Sequence, residues 1–453
     1  MKYELKITQA AQILGVSDSR VSQLISSGAI ESTTINGRRR ISRESVEAYR
    51  DIVRRTGRPP KRKRVATEYM LMNGDYEVLR LTYDPHGKEP LDAEEVIDAS
   101  RAPWGCVTRS GRGKRREINK WWSHRAIPDA RPGMTTKLAD LQASYAFEIP
   151  FKNLGLSLSD CYWLRPLHDS FNASWGDINY FDNDFLTDVS EKWDGWLAQV
   201  GLDSPDNTSE GLLPKRWIIK NGKRVLMKGC RTDDQRPCNE VVATALYRRL
   251  LDSGEYVPYD VFPLEGGYAC ACENFLSSHE EYIPATYVND TIGNTRGTST
   301  YDRFCTYVGR LGIDEKSFRV RMAKMIVCDS ILANIDRHWR NFGFVRDIHT
   351  LELRAAPLFD TGNCLWYDKN SAEVQNSDWS FRVKPFGPEP ERQLALIESA
   401  TWFRESALDG FADEAVEILG ASKHAAGRLD YIKRGLERRV DVVSQLMRVL
   451  AYK

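Results

Sequence analysis

Residues 325–366 read MIVCDSILANIDRHWRNFGFVRDIHTLELRAAPLFDTGNCLW. The opening is a nearly unbroken apolar run, Met325-Ile326-Val327-Cys328 and then Ile331-Leu332-Ala333, which predicts a buried helix. The run breaks at Asp336-Arg337-His338-Trp339-Arg340-Asn341, too polar to sit in a core. Phe342-Gly343-Phe344-Val345 then predicts a strand, and a turn falls at Asp347 to Thr350. Leu351 to Leu358 reads as the antiparallel partner and delivers Phe359-Asp360-Thr361-Gly362. Three polar groups, Asp336, Asn341 and Asp360, thus stand at the ends of apolar elements that fix them near one another. Phosphoryl transfer asks for that set: one carboxylate for the hydroxyl proton, and an amide and a second carboxylate for magnesium.

The spacing Asp-x-x-x-x-Asn, followed by an aspartate just after a strand, is that of a kinase catalytic loop and its metal-binding aspartate. The bland reading is a buried hairpin whose Asp and Asn cap turns. The runs NIDRHWRNFGF and PLFDTG resemble those of the HipA-like kinases, a bacterial serine/threonine kinase family distantly similar to eukaryotic protein kinases. The resemblance implies Asp336 as catalytic base, Asn341 and Asp360 as metal ligands, and ATP and Mg2+ as cofactors. Asp329 lies inside the apolar helix, seven residues before Asp336 and nearly on its face. A carboxylate there needs a partner. His338 in the catalytic loop is the partner expected, which groups it with the catalytic residues.

At 453 residues the chain has room for roughly three domains. Nine cysteines show no C-x-x-C pair and read as free thiols of a reducing compartment, not a zinc or disulfide framework. No apolar run approaches the roughly 18 residues that span a bilayer, and no signal-peptide core opens the chain. A cytoplasmic protein with no membrane partner is expected. Residues 1–66 hold 15 Lys and Arg against 6 Asp and Glu, a charge of +9, while the whole chain carries +1 and the remainder therefore −8. A basic head on an acidic body suggests a nucleic-acid-facing module joined to something else.

In that head, Thr8 to Leu14 reads as a short helix stopped by Gly15. Ser17 is an N-cap for a second helix, Asp18 to Ser26, with Val21, Leu24 and Ile25 inward. Ile30 to Ile41 reads as a hairpin turning at Asn36-Gly37, and Ser42 caps a third helix from Arg43 to Arg54. The pattern resembles the winged helix-turn-helix of excisionase-like and MerR-like modules, which implies DNA as partner. Asp18, Ser19, Arg20, Ser22 and Gln23 would face the major groove, and Arg38, Arg39 and Arg40 on the wing would meet phosphate or the minor groove. A small protein-interaction module is the alternative. Residues 54–66 form a basic linker whose Gly57-Arg58-Pro59 looks like an AT-hook, with Arg58 in a narrow minor groove. A plain charged tether fits the same residues.

Residues 67–144 read as a small α+β accessory domain. Strands are expected over Tyr69–Met72 and Glu77–Tyr83, with a helix over Leu91–Ala99. The aromatic, basic stretch Trp121 to Pro128 is expected to pack on the body, and His124 and His168 receive no chemistry. The kinase N-lobe and hinge are assigned to 145–276 and the C-lobe to 277–453. Ser204 to Lys215, with Gly211 and Lys215, is by position the loop that covers the nucleotide phosphates, although it lacks Gly-x-Gly-x-x-Gly. Lys228 ends a strand where a kinase places its phosphate-pairing lysine. Glu240 is placed in the first turn of a helix running to Leu251, favoured there by the helix dipole and able to pair with Lys228. Tyr268 to Phe275 reads as strand and hinge, with backbone from Cys272 through Glu273 to Asn274 against adenine.

The fold class expected is multidomain α+β, a winged helix-turn-helix ahead of a bilobal protein-kinase-like fold with a helical C-terminal lobe. The function expected is an ATP- and Mg-dependent kinase acting on a Ser or Thr of an unidentified protein substrate. Family resemblance implies a growth-inhibiting toxin beside a DNA-binding antitoxin, and the fused head would permit self-regulation. A nucleotide-sensing pseudokinase, a small-molecule kinase and a pure transcription regulator remain open, as does a homodimer.

Overall fold

The computed structural model describes the chain apart from residues 1–2, 15, 27–29, 36–37, 56–66, 86, 88, 127–145, 168–170, 186–204, 206–214, 232–233, 265–266, 294–296, 371, 374–379 and 452–453. It divides into two units, Met1–Val65 and Ala66–Lys453.

The first unit carries strand β1 (Tyr3–Leu5), helices α1 (Ile7–Leu14) and α2 (Asp18–Ser26), strands β2 (Ser32–Ile35) and β3 (Arg38–Ser42), and helix α3 (Arg43–Arg55). The sheet order is β1-β3-β2, all antiparallel. Ala10, Val21, Leu24, Ile30, Ile41 and Val46 form its core. The Ser42 hydroxyl accepts the Ser45 N–H at 3.2 Å, so the expected cap on α3 is present.

In the second unit, β4 (Thr67–Asn73) and β5 (Tyr76–Tyr83) turn at Gly74. Leu91–Val96 follows as strand β6, not the helix expected from its Ala and Glu content. Pairing with β5 from Leu79↔Val96 to Tyr83↔Leu91 overrides local propensity. Its Asp and Glu suit the sheet edge, where charge discourages further pairing. Helix α4 (Arg115–Arg125) covers this sheet, with Trp121 and Trp122 buried against Tyr162 and Leu164. Those tryptophans are core residues. Strand β7 (Tyr162–Pro166) pairs with β4 on the far side. The sheet β6-β5-β4-β7 therefore spans residue 145, where a domain boundary was expected.

A second antiparallel sheet, order β10-β11-β9-β8, contains β8 (Lys215–Lys220), β9 (Lys223–Arg231), β10 (Asp260–Leu264) and β11 (Gly267–Glu273). Helix α5 (Arg236–Leu250) packs on it and is buried through most of its length. Beyond the hinge, β12 (Glu280–Pro284) pairs with β13 (Gly343–Asp347), which pairs with β14 (Leu353–Ala355). A Cβ on Gly343 would run into the Ile283 carbonyl, so the strand pair closes only over glycine there. Helices α6 (Thr300–Arg310), α7 (Glu315–Ile331), α8 (Phe411–Leu419) and α9 (Leu429–Ala451) make the helical lobe. The whole apolar run of α7 is buried, from Met322 to Ile331. Among the described residues no helix is long and apolar enough to cross a membrane, and the eight described cysteines are free and buried.

Candidate active site

α7 ends at Ile331, and the polar residues that follow it form a loop held from beneath by one side chain. Arg337 is fully buried. Its guanidinium donates to both carboxylate oxygens of Asp329, to the Asn341 carbonyl at 2.7 Å, to the Phe359 carbonyl at 2.7 Å and to the Thr361 hydroxyl at 2.9 Å. One cation thus ties the helix, the loop and the Phe359-Asp360-Thr361 turn together. The Asp329 carboxylate finds its partner in Arg337, with Asn334 adding a bond at 2.8 Å. His338, the partner expected, is half-exposed instead. Its Nδ1 accepts the Arg340 N–H at 3.2 Å, and its Nε2 stands 4.0 Å from Asp336.

Asp336 and Asn341 sit on the loop so fixed. The Asn341 amide nitrogen donates to the Asp336 carbonyl at 2.9 Å, which leaves its oxygen as the atom suited to a cation. Both oxygens of the Asp336 carboxylate are engaged, Oδ2 by Asn363 at 2.9 Å and Oδ1 by Lys384 at 2.9 Å. Asp360 follows β14 with φ +57°, a left-handed backbone that is costly for a non-glycine residue and is concentrated at functional sites.

Lys228 lies in β9, nearly buried, and donates to Glu240 Oε1 at 2.7 Å and to Asp360 Oδ1 at 2.6 Å. Glu240 is not in the first turn of its helix. α5 starts at Arg236, so Glu240 is the fifth residue, and burial against Lys228 places it, not the helix dipole. Its second oxygen accepts the Thr361 N–H at 2.8 Å. The Asp360 carboxyl, 42% exposed, opens toward solvent where Glu240 does not. Burial works to raise its pKa, but the ammoniums of Lys228 and Lys215, with Arg337 beyond, hold it far below the ordinary carboxylate value. Lys215, expected at the phosphates, is thereby close enough for its charge to act on Asp360.

Among the described residues no cluster of three or more His, Cys, Asp or Glu could hold a metal unaided. Asp360 and the Asn341 oxygen supply two hard oxygen donors. That donor set fits Mg2+, which takes few protein ligands and completes its shell with water and nucleotide phosphate.

The hinge residues are otherwise engaged. The Asn274 N–H donates to the Arg224 carbonyl at 2.8 Å and its side chain to the Leu158 carbonyl at 2.9 Å. Glu273 holds Lys223 at the surface at 2.8 Å. The expected adenine contact is therefore not available from the Asn274 N–H. A cavity of about 600 Å³ lies beside the hinge, lined by Tyr256, Val257, Ala271, Cys272 and Phe275 among others, but not by Lys228 or Asp360. Gly211 and Arg58 lie outside the described residues, as do the side chains of Arg20, Gln23 and Arg38. On the head, Ser19 and Arg39 are exposed and Arg40 is half-buried.

His124, given no role from sequence, contacts the loop that carries Asp336 and Asn341. It bonds Arg340 and, at 2.7 Å, the Tyr287 hydroxyl. Burial, and then the Arg340 charge, lower its pKa to about 4. The residues missed by sequence reasoning are Arg337, Asn363 and Lys384. An aspartate inside an apolar helix signals a buried cation, and Arg337, in the loop that follows the helix, is the one that pairs with it.

The chain is similar to known proteins at its head and in its body. Residues 4–51 match the family model of a helix-turn-helix domain. The serine/threonine-protein kinase CtkA of Helicobacter pylori is 29% identical over 100 residues, 21% of this chain and 31% of that protein. The matched region thus spans about a third of that relative's length. The crystal structure of the H. pylori proinflammatory kinase CtkA aligns at a TM-score of 0.40 with 16% identity, covering 52% of this chain and 94% of that one. HipA from the Shewanella oneidensis toxin–antitoxin complex with HipB and operator DNA aligns at a TM-score of 0.53 with 13% identity, covering 85% of this chain and 99% of that one. The chain is thus a multidomain α+β protein with a kinase-type fold. More particularly, its body resembles HipA in fold, and a helix-turn-helix domain stands at its head.

Proposed function

We propose that this chain is an ATP- and Mg-dependent protein serine/threonine kinase that carries its own DNA-binding domain. The observation that supports this most is the Lys228 ammonium seated between Glu240 and Asp360, at 2.7 and 2.6 Å, with the turn of Asp360 joined by Arg337 to the loop of Asp336 and Asn341. In the reaction, the substrate hydroxyl oxygen attacks the γ-phosphorus and its proton passes to Asp336. The bond from that phosphorus to the β–γ bridging oxygen breaks, and ADP leaves. Asn363 keeps the Asp336 carboxylate from turning away. Lys228 and Lys215 bring positive charge to the nucleotide phosphates. Asn341 and Asp360 would hold Mg2+, which when bound would supply positive charge to the nucleotide phosphates.

The head supports a second partner, DNA. In this reading Ser19, Arg20 and Gln23 of α2 read base edges, Arg38, Arg39 and Arg40 meet phosphate, and Arg58 enters the minor groove. A kinase so fused could act as a self-regulated toxin or as a transcription-linked enzyme. Incubating the full chain with γ-labelled ATP and Mg2+, with and without cell extract, tests the activity. Label on a Ser or Thr is expected, and no transfer to any protein in either arm would sink the reading.

A further inference from the structure

Lys384 lies 48 residues beyond Asp336, yet its ammonium touches that carboxylate, the proposed base, at 2.9 Å from Oδ1. Its position is built. Two residues before it, Arg382 leads into Val383, which is buried and donates its N–H to the Pro388 carbonyl at 3.0 Å. Phe381 packs edge-on against Trp366 and takes the Arg439 guanidinium over its ring at 5.0 Å. Phe386 packs edge-on against Trp339 of the catalytic loop at 5.2 Å and against Tyr301 at 5.1 Å. The segment is thus pinned on both sides of Lys384, on one side by the loop it serves.

The side chain itself is not sealed in. It is 52% exposed, while its partner Asp336 is 27% exposed. A structural ion pair at such exposure contributes little to stability. Yet the aromatic anchoring places one half-exposed ammonium at the atom where a hydroxyl proton would arrive. Asn363 already orients the same carboxylate from its other oxygen at 2.9 Å, so orientation alone does not require Lys384. In phosphoryl transfer, negative charge crowds at that point, between the attacking oxygen and the equatorial oxygens of the moving phosphoryl group.

We propose that Lys384 is a catalytic cation of the transfer site, which leaves Asp336 Oδ1 when substrate enters and stabilises the transferring phosphoryl group. The inference rests on the kinase reading above. Lys384 neither gives nor takes a proton. The hydroxyl proton goes to Asp336, the bond to the γ-phosphorus forms, the bond to the β–γ bridging oxygen breaks, and Lys384 supplies charge alone. Its effect therefore falls on the chemical step, not on holding ADP.

The test measures single-turnover transfer from γ-labelled ATP and Mg2+ to dephosphorylated casein and to the chain itself. The parent, Lys384→Ala and Lys384→Arg are compared, beside binding of fluorescent ADP and thermal midpoints. Lys384→Ala is expected to slow transfer by about 10²-fold, as loss of one charge-stabilising donor does. ADP affinity should stay within about twofold, the signature of an interaction made only in the transition state. Lys384→Arg should recover much of the rate. Transfer by Lys384→Ala at the parent rate would overturn the assignment while leaving the kinase reading intact. So would a loss of ADP affinity as large as the loss of rate, or a lowered midpoint that Lys384→Arg restores without restoring rate. A parent that transfers no phosphate removes the kinase reading, and the role of Lys384 with it.

Discussion

Two buried cations in the body do different work. Arg337 and its partner Asp329 are 0% and 8% exposed, a sealed pair whose every bond points inward. Lys228 is as buried as its helix partner Glu240, but its second partner Asp360 is 42% exposed. Sealed charge fixes geometry. Charge that is sealed on one side and open on the other holds a carboxylate facing solvent. Arg346 with Glu281 and Tyr162 is a second sealed network, joining β12 and β13 to the accessory sheet. The difference shows which polar clusters to read as scaffold and which as site.

The sharpest test falls on the open side. Asp336→Asn keeps the shape of the loop and removes the proposed base, so transfer should fall by about 10² to 10⁴-fold while nucleotide binding survives. Labelled-ATP kinetics beside nucleotide titration decide it. A variant that transfers phosphate at the parent rate would remove Asp336 from the role of base. On the sealed side, Arg337→Met leaves Asp329 buried without its cation and should cost about 3–5 kcal/mol of stability. Asp360→Asn should cost under about 1 kcal/mol, because solvent reaches that carboxylate, yet it should abolish Mg-dependent tightening of ATP binding. Urea unfolding of both variants, with ATP titrations at fixed Mg2+, would break the comparison if their stability losses came out equal. The same logic predicts weak Mg2+ binding without nucleotide, since Asp360 and Asn341 together would offer it two side-chain oxygen donors.

How much of this was legible depends on where each contact comes from. Asp336, Asn341 and Asp360 lie within one 42-residue stretch and carry spacing, so the sequence pointed to them. Lys228 and Glu240 were placed by order along the chain, and the structure joins them at 2.7 Å. The partner of Asp329 was misassigned, because the neighbouring arginine and histidine in the loop differ only in which side chain turns inward. Lys384 comes from a segment with no motif, held by Phe381 and Phe386 through ring contacts that no local pattern announces. Leu91–Val96 failed for the opposite reason, since its composition favours a helix and only its partner β5 makes it a strand. The boundary at residue 145 failed because β7 returns to a sheet begun some ninety residues earlier.

A smaller effect separates charge that is hidden from charge that is paired. His124 is neutral in the fold, its pKa lowered to about 4 from 6.5 by burial first and by Arg340 second. The sign follows from proton binding. Between pH 6.5 and 4 the unfolded chain takes up a proton that the folded chain refuses, so the stability present above pH 6.5 is lost as pH falls. Partial solvent screening limits the loss to about 1 kcal/mol. His124→Gln should remove that part of the acid slope, read from urea midpoints at pH 7.5 and 5. An unchanged slope would mean that other groups carry the acid sensitivity.

The least effect on stability is expected where the charge is fully exposed, in the head. Arg39 stands on β3 in the open. An exposed side chain of this kind changes folding stability by less than about 0.5 kcal/mol when removed. Its consequence lies in binding. If Arg39 meets a DNA phosphate, Arg39→Ala should lower the slope of log affinity against log salt by about 0.9, with equal weakening on operator and random DNA. Ser19→Ala on α2 should do the reverse, leaving the slope and narrowing the gap between operator and random sequence, because a base-edge contact carries sequence information and releases no counterion. Both variants should unfold at the parent midpoint. A salt slope that Arg39→Ala leaves unchanged would take the wing off the phosphate backbone. Exposed charge in the head would then be solvation alone, and the contrast with the half-open site at Asp360 would rest on the body.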